Sequence, residues 1–374
     1  MNILSVFDLL RKNSLFWLSR KLNYPLVAPD MVQINFTFDC NLKCKMCGMS
    51  EQKGFLKQAG RQVEIDSATV HKIIRETKEL GVGTVLFIGG EPFLHKDIFD
   101  FTEQAKRLQL ATVIVTNGVL LDPARILNCL KHGVDWLSIS IDAATDMTFS
   151  RIRGEKVFDK IISNIRSLHQ IKRQEKRRFP KVVAVCTIMD ENIEELLEIV
   201  RLCRDIECER ILFQPVVARN VDQTERVEQY PGFVPSERLV LLNKGIDSLI
   251  EYKKQSPAQF NFIANSTRYL ELIKKYFNGG PLSDSFPCYA GFNRVQVVQE
   301  GKLYFCVSQK NQDAAFGDIK RSTLSDLWYS SVAGDYRDMI RNCATPCLQW
   351  CSYREAFMEI EDFFQKKRLF GFFH

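Results

Sequence analysis

The sequence predicts an α/β fold: a partial (β/α)6 barrel of parallel strands followed by a small cysteine-rich β-hairpin/helix extension. Three observations predict it. Six short runs rich in β-branched residues alternate with amphipathic helical patterns between residues 32 and 254. Such alternation implies parallel strands joined by helical crossovers, because parallel neighbours need long connections. The run Asn278-Gly279-Gly280-Pro281-Leu282-Ser283-Asp284-Ser285 breaks the alternation and marks a boundary. Five of the twelve cysteines fall after it, at Cys288, Cys306, Cys343, Cys347 and Cys351. A doubly wound open sheet is the competing arrangement. No G-x-G-x-x-G follows the first strand, which weakens its dinucleotide-binding version.

The first strand is expected over residues 32–38 and its helix over 68–80. Strand and helix then follow at 84–88 and 97–108, 111–116 and 123–131, 136–141 and 158–176, and 181–188 and 193–203. The sixth strand covers 210–214, with a long loop and a helix over 236–254 after it. Six such units suit a partly closed barrel. Beyond the boundary a hairpin is expected, with strands over 294–298 and 303–307 turned by Glu300 and Gly301. The chain thus divides into an N-terminal amphipathic segment (1–31), a barrel (32–277), a cysteine-rich extension (278–355) and a basic, aromatic tail (356–374).

At 374 residues, 45% hydrophobic and 26% charged, the composition is that of an ordinary globular protein. A net charge of +6 suits an acidic partner such as a small electron carrier and does not argue for nucleic acid. No apolar stretch is long enough to span a membrane. Asp8, Arg11 and Lys12 interrupt any signal-peptide layout. Twelve cysteines without an export signal point to a reducing cytosol, where thiols bind metals or stay free. Cys129, Cys186, Cys203 and Cys208 sit in helix-like or strand-like runs and read as small buried apolar residues.

Cys40, Cys44 and Cys47 form a C-x3-C-x2-C run directly after the first strand. Three thiolates at this spacing can hold three irons of a [4Fe–4S] cluster and leave the fourth iron open to a small molecule. A zinc knuckle is the alternative, but zinc wants a fourth ligand nearby. His71 and His95, the nearest downstream histidines, lie in or just before predicted helices.

In parallel β/α architectures ligands sit at the C-terminal ends of the strands. The second strand ends in Gly89-Gly90-Glu91-Pro92. Two glycines permit close approach of a ligand, and a carboxylate accepts hydrogen bonds from an amine. A plain turn with a proline opening the helix is the structural alternative. The third strand ends in Thr116-Asn117-Gly118, which is also a strong turn signal. In the fourth, Ser138, Ser140 and Asp142 share one face, and polar residues there are costly without a ligand or water. Among the late cysteines, four across a hairpin suit either iron–sulfur or a zinc ribbon.

Together these motifs resemble those of the radical S-adenosylmethionine (SAM) enzymes, over about residues 32–355. The resemblance implies a [4Fe–4S] cluster on Cys40, Cys44 and Cys47 with SAM at its open iron. It places Gly89, Gly90 and Glu91 at the SAM amino group and Asn117 in the cofactor or substrate cavity. It makes Ser140 and Asp142 candidates for the ribose. Arg153 becomes a candidate for the SAM carboxylate or a polar substrate, with a surface arginine as the alternative. Met46 stands where the family often has an aromatic residue, and so implies a softer contact near the adenine.

The spacing from Cys288 to Gly301 to Cys306 resembles the C-x(9–15)-G-x4-C hairpin of the SPASM and twitch extensions, which hold auxiliary clusters. Phe316-Gly317-Asp318-Ile319 and Leu324-Ser325-Asp326-Leu327-Trp328 add to that likeness. A full SPASM extension holds two clusters on seven or more cysteines. Five here imply one auxiliary [4Fe–4S] cluster, on Cys288, Cys306 and two of Cys343, Cys347 and Cys351.

The activity implied is reductive cleavage of SAM to a 5′-deoxyadenosyl radical that abstracts hydrogen. A flavodoxin- or ferredoxin-like donor would supply the electron. Oxidation or bond formation on a peptide or protein is the expected outcome. A carbohydrate or small polar metabolite is the alternative substrate, and a non-catalytic iron–sulfur or zinc module that binds a partner is the alternative of another class. Residues 3–22 and 363–373 mix aromatics, aliphatics and bases in a way that suits peripheral membrane contact or packing on the protein's own surface.

Overall fold

The computed structural model describes residues 3–47, 64–217, 232–280, 282, 287–306, 315–343 and 347–349. After an N-terminal helix α1 (Ile3–Leu22) come β1 (Met31–Asn35), α2 (Ser67–Glu79), β2 (Thr84–Ile88), α3 (Ile98–Arg107), β3 (Ala111–Thr116) and α4 (Pro123–Lys131). Then follow β4 (Trp136–Ser140), α5 (Asp146–Arg153), α6 (Phe158–Gln174), β5 (Lys181–Ile188), α7 (Leu196–Asp205) and β6 (Arg210–Pro215). Local chemistry starts these helices. Asp66 accepts from the Thr69 N–H at the head of α2, and Asp122 accepts from the Arg125 N–H at the head of α4, where Pro123 holds the first position.

β1 to β6 lie side by side in chain order, and every adjacent pair is parallel. The barrel stays open. On its free edge β1 takes the extension's β7 (Arg294–Val297) as a parallel neighbour, and β8 (Lys302–Tyr304) and β9 (Gly317–Asp318) add antiparallel beyond it. The hairpin is therefore part of the same nine-stranded sheet.

Alternation along the strands divides the sheet into two faces. Phe87, Ile114, Leu137, Ile139, Ala184 and Phe213 are fully buried. Their neighbours Ile88, Val115, Ser138, Ser140, Val185 and Thr187 are half-exposed and form the barrel's inner face.

Several elements differ from expectation. β1 stops at Asn35 because Phe36 and Thr37 turn to bond the end of β2. α7 begins at Leu196, since Asn192 bonds the Met189 N–H and the Thr187 and Asp142 carbonyls instead of entering the helix. α5 was not expected. It has only 8 residues, capped by Thr145 and ended by Gly154 at φ +79°. After β6 the chain forms α8 (Leu239–Lys254), then α9 (Pro257–Phe262) and α10 (Thr267–Phe277), which were also not expected.

The extension has its own aromatic centre. Phe305 stacks on Phe316 at 4.0 Å and meets Trp328 edge-on. These side chains come from the hairpin and from α11 (Leu324–Trp328). From α12 (Ser331–Arg341), buried Arg337 donates to the Gly291 and Trp328 carbonyls and lies 4.4 Å from the Trp328 ring centre. α1 packs on this unit: Phe16 is buried with Tyr289 and Phe292, and Arg20 donates to the Cys288 and Arg341 carbonyls. Trp17, Leu18 and Leu22 stay exposed. Among the described residues no helix is long and apolar enough to cross a membrane.

Candidate active site and cluster sites

The cysteine loop leaves β1 against the end of β2. The Gly90 N–H donates to the Thr37 carbonyl at 2.7 Å, and the Glu91 N–H to the Asp39 carbonyl at 2.8 Å. A Cβ on Gly90 would sit 1.9 Å from the Asp39 oxygen, and one on Gly89 would sit 2.5 Å from the Thr37 oxygen. The close approach expected of a ligand is thus made first by the loop's own backbone. These two glycines set where the loop begins.

Glu91 is fully buried. One carboxylate oxygen accepts from the Thr116 hydroxyl at 2.7 Å and the Phe93 N–H at 3.2 Å; the other accepts from the Asn117 N–H at 2.8 Å. Burial raises its pKa, against the lowering effect of those donors. Any bond to an amine would add to a carboxylate already engaged as a clamp between β2 and β3. Past that clamp, the Asn117 amide donates to the Asn41 side chain at 2.9 Å and lies 3.8 Å from the Cys40 sulfur.

The other side of the loop rests on α5. The Lys45 N–H donates to the Ile152 carbonyl at 2.9 Å, and Lys45 pairs with Glu191. Arg153 is 7% exposed, which corrects the surface-arginine alternative. Its guanidinium donates to the Cys44 sulfur at 3.4 Å and pairs with the Asp142 carboxylate. Asp142 is fully buried, unlike half-exposed Ser138 and Ser140, and also accepts from the Thr187 N–H at 2.7 Å. The shared strand face expected for the three thus ends with β4 at Ser140, because the ion pair draws Asp142 into the interior.

Cys40 is exposed as a residue, but the protein packed around its sulfur pushes the thiol up to about 11, with Cys44, Glu91 and Cys47 adding to the rise and the Leu42 N–H opposing it. Burial also raises Cys44, and Arg153 opposes that. Cys40 and Cys44 are thus held as neutral thiols, and a bound cation would ionise them, which is the donor chemistry of an iron–sulfur site. Among the described residues no three Cys, His, Asp or Glu side chains are placed to share a single metal ion. Met46 is half-buried and packs on the core beside Cys47.

In the extension, burial raises the Cys288 thiol, and Cys347 and Cys306 raise it further while Arg294 opposes. Cys306 and Cys347 therefore both lie within electrostatic reach of Cys288. Cys343 is exposed at the end of α12. Cys351 and the basic tail lie outside the described residues. The Tyr269 hydroxyl and the Arg294 guanidinium bond the segment that follows Cys347, at the Leu348 carbonyl and the Gln349 side chain.

Sequence reasoning missed Tyr269, Arg20 and Glu195. Glu195 holds the start of α5 through the Ala144 N–H and the Thr145 and Thr148 hydroxyls. Each acts on a partner distant in the chain, and none carries a local motif.

The radical SAM superfamily model matches residues 34–203, and the iron–sulfur cluster-binding SPASM domain matches residues 288–352. The chain belongs to the radical SAM superfamily. Its C-terminal extension is of the SPASM type. A probable GTP 3′,8-cyclase of Saccharolobus solfataricus is 26% identical over 306 residues, 79% of this chain and 88% of that protein. The PqqA peptide cyclase of Gluconobacter oxydans is 26% identical over 307 residues, 81% of this chain and 77% of that protein. Streptococcus suis SuiB bound to S-adenosylmethionine shares the fold, with a TM-score of 0.64 and 18% identity over 86% of this chain and 71% of SuiB. This radical SAM protein is accordingly an enzyme that uses a [4Fe–4S] cluster with SAM, and auxiliary iron–sulfur in its extension.

Proposed function

We propose that this enzyme modifies a peptide. In this reading Cys40, Cys44 and Cys47 hold the SAM-binding cluster. Cys288, Cys306 and Cys347, with Cys343 or Cys351, hold one auxiliary [4Fe–4S] cluster. The observation that carries the peptide reading is the chemistry of the inner face. Toward the strand ends its half-exposed residues are Ile88, Val115, Ser140, Val185, Thr187 and Gln214, all uncharged. A nucleoside triphosphate needs clustered cations, whereas an uncharged peptide side chain suits such a surface. A relative named as a peptide cyclase supports the same reading, as does SuiB, which has been solved with its precursor peptide SuiA.

The bound cluster and SAM supply a 5′-deoxyadenosyl radical for hydrogen abstraction once an electron arrives. The chain's residues do the rest. Gly89 and Gly90 seat the cysteine loop, Glu91 and Asn117 brace it from β3, and Arg153 with Asp142 brace it from α5. Ser140 and Met46 are offered to SAM, and Ile88, Val115 and Val185 give the inner face its apolar surface. A flavodoxin- or ferredoxin-like donor fits the net positive charge. The domain limits at 31, 277 and 355 belong to this reading, as does a cytoplasmic setting with peripheral membrane contact through α1 and the tail.

The test is anaerobic reconstitution with iron and sulfide, then a 5′-deoxyadenosine assay with SAM and dithionite, on the native chain and on a Cys40/Cys44/Cys47→Ala variant. Loss of cleavage in the variant is expected; cleavage that survives would overturn the cluster assignment. Candidate precursor peptides are then assayed for loss of hydrogen by mass spectrometry. Turnover of GTP or a sugar with no change in any peptide would overturn the substrate class.

A further inference from the structure

We infer that Arg153, held in place by Asp142, is a positioning residue that tunes the SAM-binding cluster through the Cys44 sulfur. The inference rests on Cys44 being a cluster ligand. Arg153 is buried, and its guanidinium donates to that sulfur at 3.4 Å. A lone buried guanidinium would be costly, and the pair with fully buried Asp142 offsets part of that cost. Asp142 is itself fixed by the Thr187 N–H at 2.7 Å, and its carbonyl accepts from the Asn192 amide at 2.8 Å. The loop is pinned beside them by the Lys45–Ile152 backbone bond, and a Cβ on Gly154 would sit 2.9 Å from the Lys43 carbonyl. The backbone that carries Arg153 and the loop that carries Cys44 are therefore held against each other.

The consequence is a matter of charge. One-electron reduction of a [4Fe–4S] cluster adds a negative charge shared by iron and sulfur. Hydrogen bonds and positive charge at a ligand sulfur favour that state and raise the reduction potential. The electron comes from dithionite in the test or from the external donor in the cell, and no covalent bond of the protein changes. Asp142 also cancels part of the Arg153 charge at the sulfur; an asparagine there keeps an oxygen to hold the guanidinium but loses that negative charge, so the two substitutions have opposite signs.

The test is a potentiometric titration of the reconstituted full chain, followed by electron paramagnetic resonance. The SAM-responsive signal identifies the cluster, and its midpoint is measured without SAM. Arg153→Gln is expected to lower the midpoint and Asp142→Asn to raise it, with Arg153→Lys between Arg153→Gln and the native chain. A SAM-free midpoint unchanged in Arg153→Gln, with only SAM affinity reduced, would overturn the inference and make Arg153 a SAM ligand. Shifts of the same sign in both variants would also overturn it. If Arg153→Gln does not hold iron, Asp142→Asn decides: a raised midpoint supports the inference and an unchanged one overturns it. A Cys44→Ala chain that keeps the SAM-responsive signal would instead overturn the ligand assignment.

Discussion

The Tyr269 hydroxyl donates a hydrogen bond to the Leu348 carbonyl at 2.6 Å, across 79 residues of chain. Tyr269 belongs to α10, and Leu348 follows Cys347. One buried contact therefore ties the segment carrying a proposed ligand of the auxiliary cluster to the helices that follow the barrel. Tyr269→Phe leaves the carbonyl buried without its donor, at a cost of about 1–3 kcal/mol. Denaturant unfolding should show that loss, and iron should leave the auxiliary site before the SAM-binding site.

Gly90→Ala is the strongest single test of the cysteine loop. Its new methyl would meet the backbone oxygen of Asp39, which cannot rotate away as a side chain can. The variant should fold around an intact barrel, as judged by circular dichroism, and fail to retain the SAM-binding cluster on iron analysis. Full retention would mean that the loop is free to move as a unit.

Glu91→Gln keeps the shape and changes the hydrogen bonding. The native carboxylate faces only donors, from Thr116, Asn117 and Phe93. An amide NH2 placed against them costs about 1–3 kcal/mol. A lower melting temperature is expected, together with at least a tenfold fall in 5′-deoxyadenosine formation as Asn117 shifts beside Cys40.

The thiols of the extension lead to a ranking. Cys288→Ala, Cys306→Ala and Cys347→Ala should each lose auxiliary iron. Cys343→Ala and Cys351→Ala should differ from each other, and iron counting on the pair identifies the fourth ligand.

At the head of α2, burial works to raise the Asp66 carboxyl, but the Thr69 hydroxyl and N–H outweigh it and hold the carboxyl below its usual value. The folded value lies below the unfolded one. The carboxylate's contribution is therefore present above the unfolded value and is lost as pH falls through the folded one. Asp66→Ala should cost about 1 kcal/mol at neutral pH, as for other N-caps. The difference from the native chain should close as the solution is acidified below the carboxylate range, and Asp66→Asn should show little cost at neutral pH.

Much of the site was legible before folding. Gly89, Gly90 and Glu91 stand out because a strand end needs a reason for two glycines and an acid together. Their use was harder to read. The glycines admit the Thr37–Asp39 backbone, and Glu91 is engaged by β3, because the residues that fill those roles come from other strands. Arg153 read nearly as well as a surface residue, since nothing within a few positions of it shows that a buried carboxylate lies opposite.

The six β/α units, the cysteine loop after β1 and the late cysteines are legible from the chain alone, because each is written in local periodicity or spacing. Folding is what sets β7 on the edge of β1, brings Cys306 and Cys347 within reach of Cys288, and joins Arg153 to Cys44 across 109 residues. Those pairings join residues with no fixed offset along the chain. They arise from closing loops and burying charge in company, and the folded geometry is where that happens.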